Sequence, residues 1–295
     1  MASTIIKTSL PEYVATNSDE LLVKSMLGAK TLDYVEIMTN VKFKSALNYL
    51  DSTVVFADGS ECGFEAQGTD TLSQRTIEVK PIKINKEWCD RDLLSTFANH
   101  QNLIAAGRET LPFEQAFINA NMKAIKSELE KVIWNGDDAT GVEGWIDLAG
   151  KETGVVKVSG SADELIDKAY NAIPNAVLER GDVVIFVDPT LFKNYVQAQN
   201  AACCANRDIV DVAAGEMTYL GDSRVKIVAV GGLAGKNAAL ASYRTNFVYA
   251  TDVEGSENAY KLWYSDDADL FRFKVLFNVG VQIKFPSELV YATVA

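Results

Sequence analysis

Phe113-Glu-Gln-Ala-Phe-Ile-Asn-Ala-Asn-Met-Lys-Ala-Ile-Lys-Ser-Glu-Leu-Glu-Lys-Val-Ile-Trp-Asn-Gly-Asp137 is the stretch on which the reading of this chain turns. Phe113, Ala116, Phe117, Ala120, Ala124, Ile125, Leu129, Val132 and Ile133 recur at helical spacing, which marks one buried stripe. Lys123, Lys126, Glu128, Glu130 and Lys131 take the other faces. Pro112 stands where a helix begins and Asn135-Gly136 where one ends. The spacing predicts a helix over 113–134, about 33 Å long. Gly141-Val-Glu-Gly-Trp-Ile146 follows, inside a Gly-rich stretch from Asp137 to Gly160 that reads as loop and turn.

Toward the C-terminus the pattern alternates between strand and helix. Ser161-Ala-Asp-Glu164 reads as a capping box opening a helix that carries Leu165, Ile166, Ala169, Tyr170 and Ile173. Gly181-Asp-Val-Val-Ile-Phe-Val187 is a wholly apolar strand, and Asp188-Pro189 starts another helix. Val225-Lys-Ile-Val-Ala-Val230 is a second buried strand, so this region is expected to form an α/β unit. Beyond it, Phe271, Phe273, Val275, Phe277, Val279, Val281, Ile283 and Phe285 are all odd-numbered and apolar, with Arg272, Lys274, Asn278, Gln282 and Lys284 between them. That alternation predicts one long strand with a buried and a wet face, with Gly280 marking a bend or bulge.

Toward the N-terminus, residues 1 to about 45 read as a mixed arm, with a short helix from Thr16 to Gly28. Thr53-Val-Val-Phe-Ala57 is strand, Asp58-Gly59 a turn signal, and Gly63 to Thr71 a polar stretch. Ile77 and Val79 resume the alternation, which Pro81 shifts to Ile82 and Ile84, as expected of an edge or bulged strand. Residues 47–86 are thus expected to form a long hairpin, and an isolated hairpin is marginal in water. It is expected to rest on another subunit.

Composition bounds the function. The 295 residues are 48% hydrophobic and 23% charged, which excludes a disordered chain. No stretch approaches the roughly 18 apolar residues of a membrane span, and no secretory signal is expected at Met1-Ala-Ser-Thr-Ile-Ile-Lys7. The net charge of −12 argues against a sequence-specific DNA-binding module. Cys62, Cys89, Cys203 and Cys204 form no CxxC and fit a reduced, cytosolic chain.

Catalytic chemistry has little to stand on. His100 is the only histidine and sits in an ordinary helical setting. Gly231-Gly-Leu-Ala-Gly-Lys-Asn237 lacks the first glycine and the Ser or Thr of a phosphate loop, and reads as a turn. Asp266, Asp267 and Asp269 read as an exposed acidic turn, with a cation site or a carboxylate-dependent cytosolic enzyme as the alternative. Asp137, Asp138 and Glu143 read the same way. No catalytic, cofactor or metal residue is assigned.

The order of elements now matters. An arm precedes a long hairpin; a long helix ends in Ile133-Trp-Asn-Gly-Asp137 and is followed by Gly141-Val-Glu-Gly-Trp145; Val184-Ile-Phe-Val-Asp-Pro189 and Tyr219-Leu-Gly-Asp-Ser-Arg-Val-Lys-Ile-Val228 lead to a long C-terminal strand. This resembles the major capsid proteins of tailed bacteriophages, a fold shared with encapsulin nanocompartments. The resemblance implies an α+β tailed-phage major capsid fold: N-terminal arm 1–46, extended hairpin loop 47–86, and peripheral domain 87–160 with its spine helix 113–134. An α/β axial domain 161–265 and a C-terminal strand 266–295 returning to the peripheral domain complete it. Implied partners are further copies in pentamers and hexamers, scaffolding, portal and cement proteins, and packaged DNA held weakly and non-specifically, with no cofactor and no membrane. The implied location is the virion, assembled in the host cytoplasm. Many relatives open with a long, charged scaffolding segment; here the pattern starts close to Met1, so a separate scaffolding protein, or none, is expected. Subunit contacts are expected at Asp58, Gly59, Phe64, Gly68, Ile77 and Val79. Some members cross-link a loop lysine to a neighbour's asparagine, yet no lysine lies between Lys44 and Lys80, so covalent joining is not expected.

Overall fold

The structure is a computed structural model and describes residues 2–18, 20, 21, 24, 27–56, 68–106, 112–201, 215–219, 221–252 and 260–295. Along the chain lie α1 (Ala2–Thr16), β1 (Glu36–Met38), β2 (Lys44–Thr53), β3 (Thr69–Glu78), β4 (Lys80–Cys89), α2 (Asp90–Ala105), α3 (Phe113–Asn135) and α4 (Trp145–Lys151). There follow β5 (Val156–Gly160), α5 (Leu165–Asn171), α6 (Asn175–Arg180), β6 (Val183–Val187), α7 (Pro189–Ala201), β7 (Glu216–Tyr219) and β8 (Asp222–Ala229). The last strands are β9 (Ala238–Tyr243), β10 (Phe247–Thr251), β11 (Tyr260–Ser265), β12 (Leu270–Ile283) and β13 (Val290–Val294).

The alternation from Phe271 to Ile283 does what its period dictates. In β12 every odd residue is buried, whereas its even residues other than Gly280 are half-buried or exposed. β12 is the axis of a five-stranded sheet. β4 pairs along Leu270–Val279 on one side; β11 pairs along Leu270–Val275 and β10 along Val279–Ile283 on the other. β1 joins β10 in parallel. β4 pairs only with β12, so Pro81 sits on an edge strand as expected. Gly280 leaves the strand unbroken. A Cβ there would stand 2.2 Å from the Glu78 carbonyl oxygen, so the glycine permits a close approach of β3, with no bulge.

The strand ends earlier than the alternation does. Asn246, fully buried, accepts from the Phe285 N–H at 2.7 Å and donates to its carbonyl at 3.0 Å. That clamp removes residue 285 from the ladder, and Pro286 turns the chain. β13 then enters a second, six-stranded sheet of order β5-β13-β9-β6-β8-β7. The expected division is corrected accordingly. The α/β sheet takes β5 and β13 from outside 161–265, while β10 and β11 from inside that range belong to the β12 sheet.

α3 runs one residue past the expected end, and its buried face differs. Ile118, Asn121, Met122, Glu130 and Trp134 are buried with Phe113, Ile125, Leu129 and Ile133, whereas Ala120 and Ala124 are exposed. The larger side chains at 118, 122, 125, 129 and 133 define the stripe, and the alanines fall outside it. The expected capping box does not close: Glu164 is itself the residue before the helix and pairs with Lys168 at 3.3 Å.

The N-terminal segment is a further correction. In place of the expected mixed arm with a short helix starting at Thr16, it opens with α1, which ends at Thr16 and whose Leu10 and Val14 are buried in the same core as α3 and β12. A single 3-10 turn at Lys30–Tyr34 carries the buried Thr31. The hairpin is shorter than expected: β2 and β3 pair from Lys44↔Glu78 to Thr53↔Thr69, and residues 80–89 belong to the main sheet.

One large apolar core lies under the β12 sheet and reaches one face of the α/β sheet, and a second lies on that sheet's other face. Trp134 sits in the first, between the two sheets. Its ring lies edge-on to Trp145 at 5.1 Å and Phe186 at 5.0 Å, and 6.4 Å from Phe247. Its indole N–H donates to Thr31 Oγ1 at 2.8 Å, and the Thr31 hydroxyl donates to Glu130. Burial holds the Glu130 carboxyl above the ordinary carboxylate range, against the opposing pull of its Thr31 hydrogen bonds and of Lys30.

Two predictions follow from this packing. Phe277→Asp should abolish cooperative melting, because an unpaired buried carboxylate costs several kcal/mol, whereas Asn278→Asp on the opposite face should leave it nearly unchanged; equal effects by circular dichroism would refute the two-faced strand. Glu130→Gln keeps an acceptor for Thr31 and removes the cost of ionisation. A raised folded pKa stabilises below the unfolded value, about 4.3 for a free glutamate, and that stability is lost as pH rises through the folded value. Urea denaturation should therefore show the wild type weakening relative to the variant over that rise; parallel pH profiles would sink the argument.

Candidate assembly surface

The hairpin of β2 and β3 is half built into the subunit and half bare. At its base, Leu47 and Ile77 are buried with Val41, Val79, Val248 and Ala250. Tyr49 meets Phe285 edge-on at 4.8 Å, and Arg75 pairs with Glu152. The Val79 N–H donates to the Phe43 carbonyl at 2.9 Å, fixing the step from hairpin to β4. Farther out, no element among the described residues covers the hairpin: Val54, Val55 and Phe56, just past β2, are exposed, Phe56 to 96%, and Leu72 to 80%.

The residues expected at subunit contacts are not all placed together. Asp58, Gly59 and Phe64 lie outside the described residues. Gly68 is exposed where the chain re-enters β3, with a φ of 97° that favours glycine. Ile77 and Val79 are buried within the subunit and leave no surface for a neighbour. This is a correction with a simple cause. The alternation that flagged them as one apolar face is satisfied by Val41, Leu47, Val248 and Ala250 of the same chain. Among the described residues of this region, the bare apolar side chains are instead Val54, Val55, Phe56, Leu72 and, at the hairpin base, Phe43. A signal was available for three of them: Val54-Val55-Phe56 is an unbroken apolar run, which a two-stranded ribbon has no single face to bury.

The other candidates resolve into local structure. Asp266, Asp267 and Asp269 lie at the turn between β11 and β12. Asp269 accepts from the Tyr264 hydroxyl at 2.6 Å, and Asp267 accepts from Ser265, which lowers its pKa. Asp137 accepts from the Thr140 hydroxyl at 2.8 Å and its N–H donates to the Val142 carbonyl, so it closes the turn after α3. Among the described residues no three His, Cys, Asp or Glu side chains converge on a metal position. In the 231–237 loop, Asp188 Oδ2 accepts from the Asn237 N–H at 3.1 Å, and Gly232 packs on α3. That loop is a packing turn. His100 lies in α2 against Phe113, ring to ring at 5.7 Å. No described helix is long and apolar enough to cross a membrane.

No protein-family model matches the chain, and no curated protein sequence matches it. Solved structures do. A chain of the satellite phage P4 procapsid, a particle that includes the size determination (Sid) protein, is similar with a TM-score of 0.62 at 13% identity, covering 94% of this chain and 91% of that one. The capsid of the native GTA particle gives 0.56 at 10% identity over 92% and 90%. The virus-like particle from Pyrococcus furiosus gives 0.52 at 12% identity over 92% and 96%. Identities this low carry the fold alone. The chain has the α+β capsid fold of tailed-phage and related particles across nearly its whole length.

Proposed function

We propose that this chain is the major capsid protein of a tailed bacteriophage, assembling through pentamers and hexamers into an icosahedral shell that encloses double-stranded DNA. The observation that carries the reading is the bare outer half of the hairpin, on a chain with a capsid fold from end to end. A monomer gains nothing from holding Val54, Phe56 and Leu72 in water, whereas a neighbour covering them recovers about 1.5–3 kcal/mol for each large side chain. Scaffolding, portal and cement proteins are the further partners, and the location is the virion, assembled in host cytoplasm. The net charge of −12 keeps contact with DNA weak and non-specific.

A second reading has one observation in its favour, the likeness to the Pyrococcus furiosus virus-like particle. An encapsulin-like shell of the same fold would carry protein cargo in place of DNA, so the contents of purified particles separate the two. A carboxylate-dependent enzyme would need free, converging carboxylates, and Asp267 and Asp269 are already held by their neighbouring hydroxyls.

Negative-stain microscopy of the purified protein should show shells, rings or sheets of pentamers and hexamers. A well-folded protein that stays monomeric at high concentration would overturn the reading. Phe56→Asp and Leu72→Asp should melt within about 0.5 kcal/mol of the wild type, since both side chains are already in solvent, yet assemble poorly. Particles boiled in detergent and reductant should run as one band near 32.2 kDa, because Arg75 is the only basic residue between Lys44 and Lys80. A ladder of covalent oligomers would contradict it.

A further inference from the structure

A groove of about 410 Å³ lies between the N-terminal segment and α3. Tyr13, near the end of α1, and Asn17 just beyond it stand on one wall. On the other, Gln115, Asn119, Lys123 and Lys126 recur at steps of three and four, which sets them along one face of α3.

The charges in this groove do not balance. Three lysines line it, Lys24, Lys123 and Lys126, against one carboxylate, Glu20. Glu20 is already paired with Lys24, four residues on. Glu128, farther along α3, is taken by Lys131 at 2.7 Å, and Glu114 accepts from Ser9 at 2.6 Å. Among the described residues Lys123 and Lys126 are in no ion pair, although like charges one helical turn apart repel. Lys126 is also seated. A Cβ on Gly28 would stand 2.2 Å from its ε-carbon and 2.5 Å from its Nζ, so the side chain fills the slot that the glycine leaves open. A chain of net charge −12 thus keeps two unanswered cations at one groove and makes room for one of them.

What answers them must be anionic and rich in acceptors. Besides the ammonium groups, the walls carry the amides of Gln115 and Asn119, the Tyr13 hydroxyl and the Asn17 amide, which uses one hydrogen on the Tyr13 carbonyl at 2.8 Å. A carboxylate has two oxygens and pairs best with the planar fork of an arginine. A phosphate group presents more oxygens, and lysine meets it as a point charge. Leu21 and Met122, the aliphatic side chains of the groove, are buried, so an amphipathic acidic peptide would find little apolar surface to cover.

We propose that the groove between α1 and α3 is a binding site for a phosphate group, held by Lys123 and Lys126 and bridging the two helices. The group is that of a free phosphate anion or of a nucleic-acid backbone, which share this chemistry. Bound there, it fastens the N-terminal helix to the long one, because α1 supplies Tyr13 and α3 the lysines. The site goes beyond the shell reading and does not need it.

Pyrophosphate and a short DNA duplex are the two ligands to test, each against sodium chloride at equal ionic strength and on the full chain. With about 1 mM of the ligand that binds, the melting temperature should rise by about 2 °C or more. K123Q/K126Q keeps side-chain length and polarity and should bind about tenfold or more weakly by calorimetry. K131Q, on the same helix but paired with Glu128, should stay within about twofold of the wild type. Hydrogen exchange in α1 should slow when the wild type is loaded, a measurement that needs no variant to fold.

A response to pyrophosphate that is lost in K123Q/K126Q supports the proposal and names a free anion as the source. A response to the duplex alone, lost in the same variant, supports it and names a nucleic-acid backbone. An equal response in wild type and K123Q/K126Q, no response to either ligand, unchanged exchange in α1, or tighter binding of polyglutamate than of both ligands would each overturn it. A protein that stays monomeric yet binds pyrophosphate through these lysines keeps the groove and loses only the shell.

Discussion

The last turn of α3 approaches the 231–233 turn so closely that no side chain fits between them. A Cβ on Gly232 would stand 2.3 Å from the Trp134 ring and 2.4 Å from the Glu130 carbonyl oxygen. The chain that follows α3 is pinned just as tightly: a Cβ on Gly144 would lie 2.2 Å from the Gly136 nitrogen, and one on Gly136 2.7 Å from the Val142 oxygen. These contacts let Trp134 and Trp145 stack edge to face between the two sheets, with Phe186 from one and Phe247 from the other closing the cluster. Protein interiors are close-packed and transmit strain, so an added methyl group here has nowhere to go. The seating of the two sheets against each other depends on this joint.

Polar groups inside the joint make it specific. Thr31 takes the Trp134 N–H and gives its own hydroxyl hydrogen to Glu130, so one small side chain satisfies two buried partners. Lys30, its neighbour, donates to the Gly215 and Ala229 carbonyls at 3.2 Å each and reaches Glu216 at 3.6 Å. The 30–34 turn therefore ties the N-terminal segment to the long helix and to the α/β sheet together. Leaving any buried member of this set unpaired costs about 1–3 kcal/mol, which apolar packing alone does not recover.

How much of this was legible in the sequence follows from where each signal is generated. The period-2 run at 271–283 and the apolar strand at 183–187 were legible because burial there is one-sided or complete over several residues. The long helix was legible, but its face was not. Counting alanines as apolar rotated the stripe toward Ala120 and Ala124 and away from Met122 and Trp134. The end of β12 was hidden because Asn246, nearly forty residues upstream, decides it through two hydrogen bonds to Phe285. Docking of α1 was hidden for the same reason: Leu10 and Val14 look unremarkable until β11 and α3 lie beneath them. Among the contact residues, Ile77 and Val79 misled because periodicity reports burial without saying in which chain.

That last distinction separates the two kinds of surface in this molecule. A core side chain is explained when its partners within the chain are named, as Val248 and Ala250 explain Ile77. Phe56, 96% exposed, and Leu72, 80% exposed, meet no such partner among the described residues. The same alternation that buries Ile77 thus leaves Leu72, five residues earlier on the same strand, in water. A periodic pattern names a core only once the residues that cover it are found in the same chain.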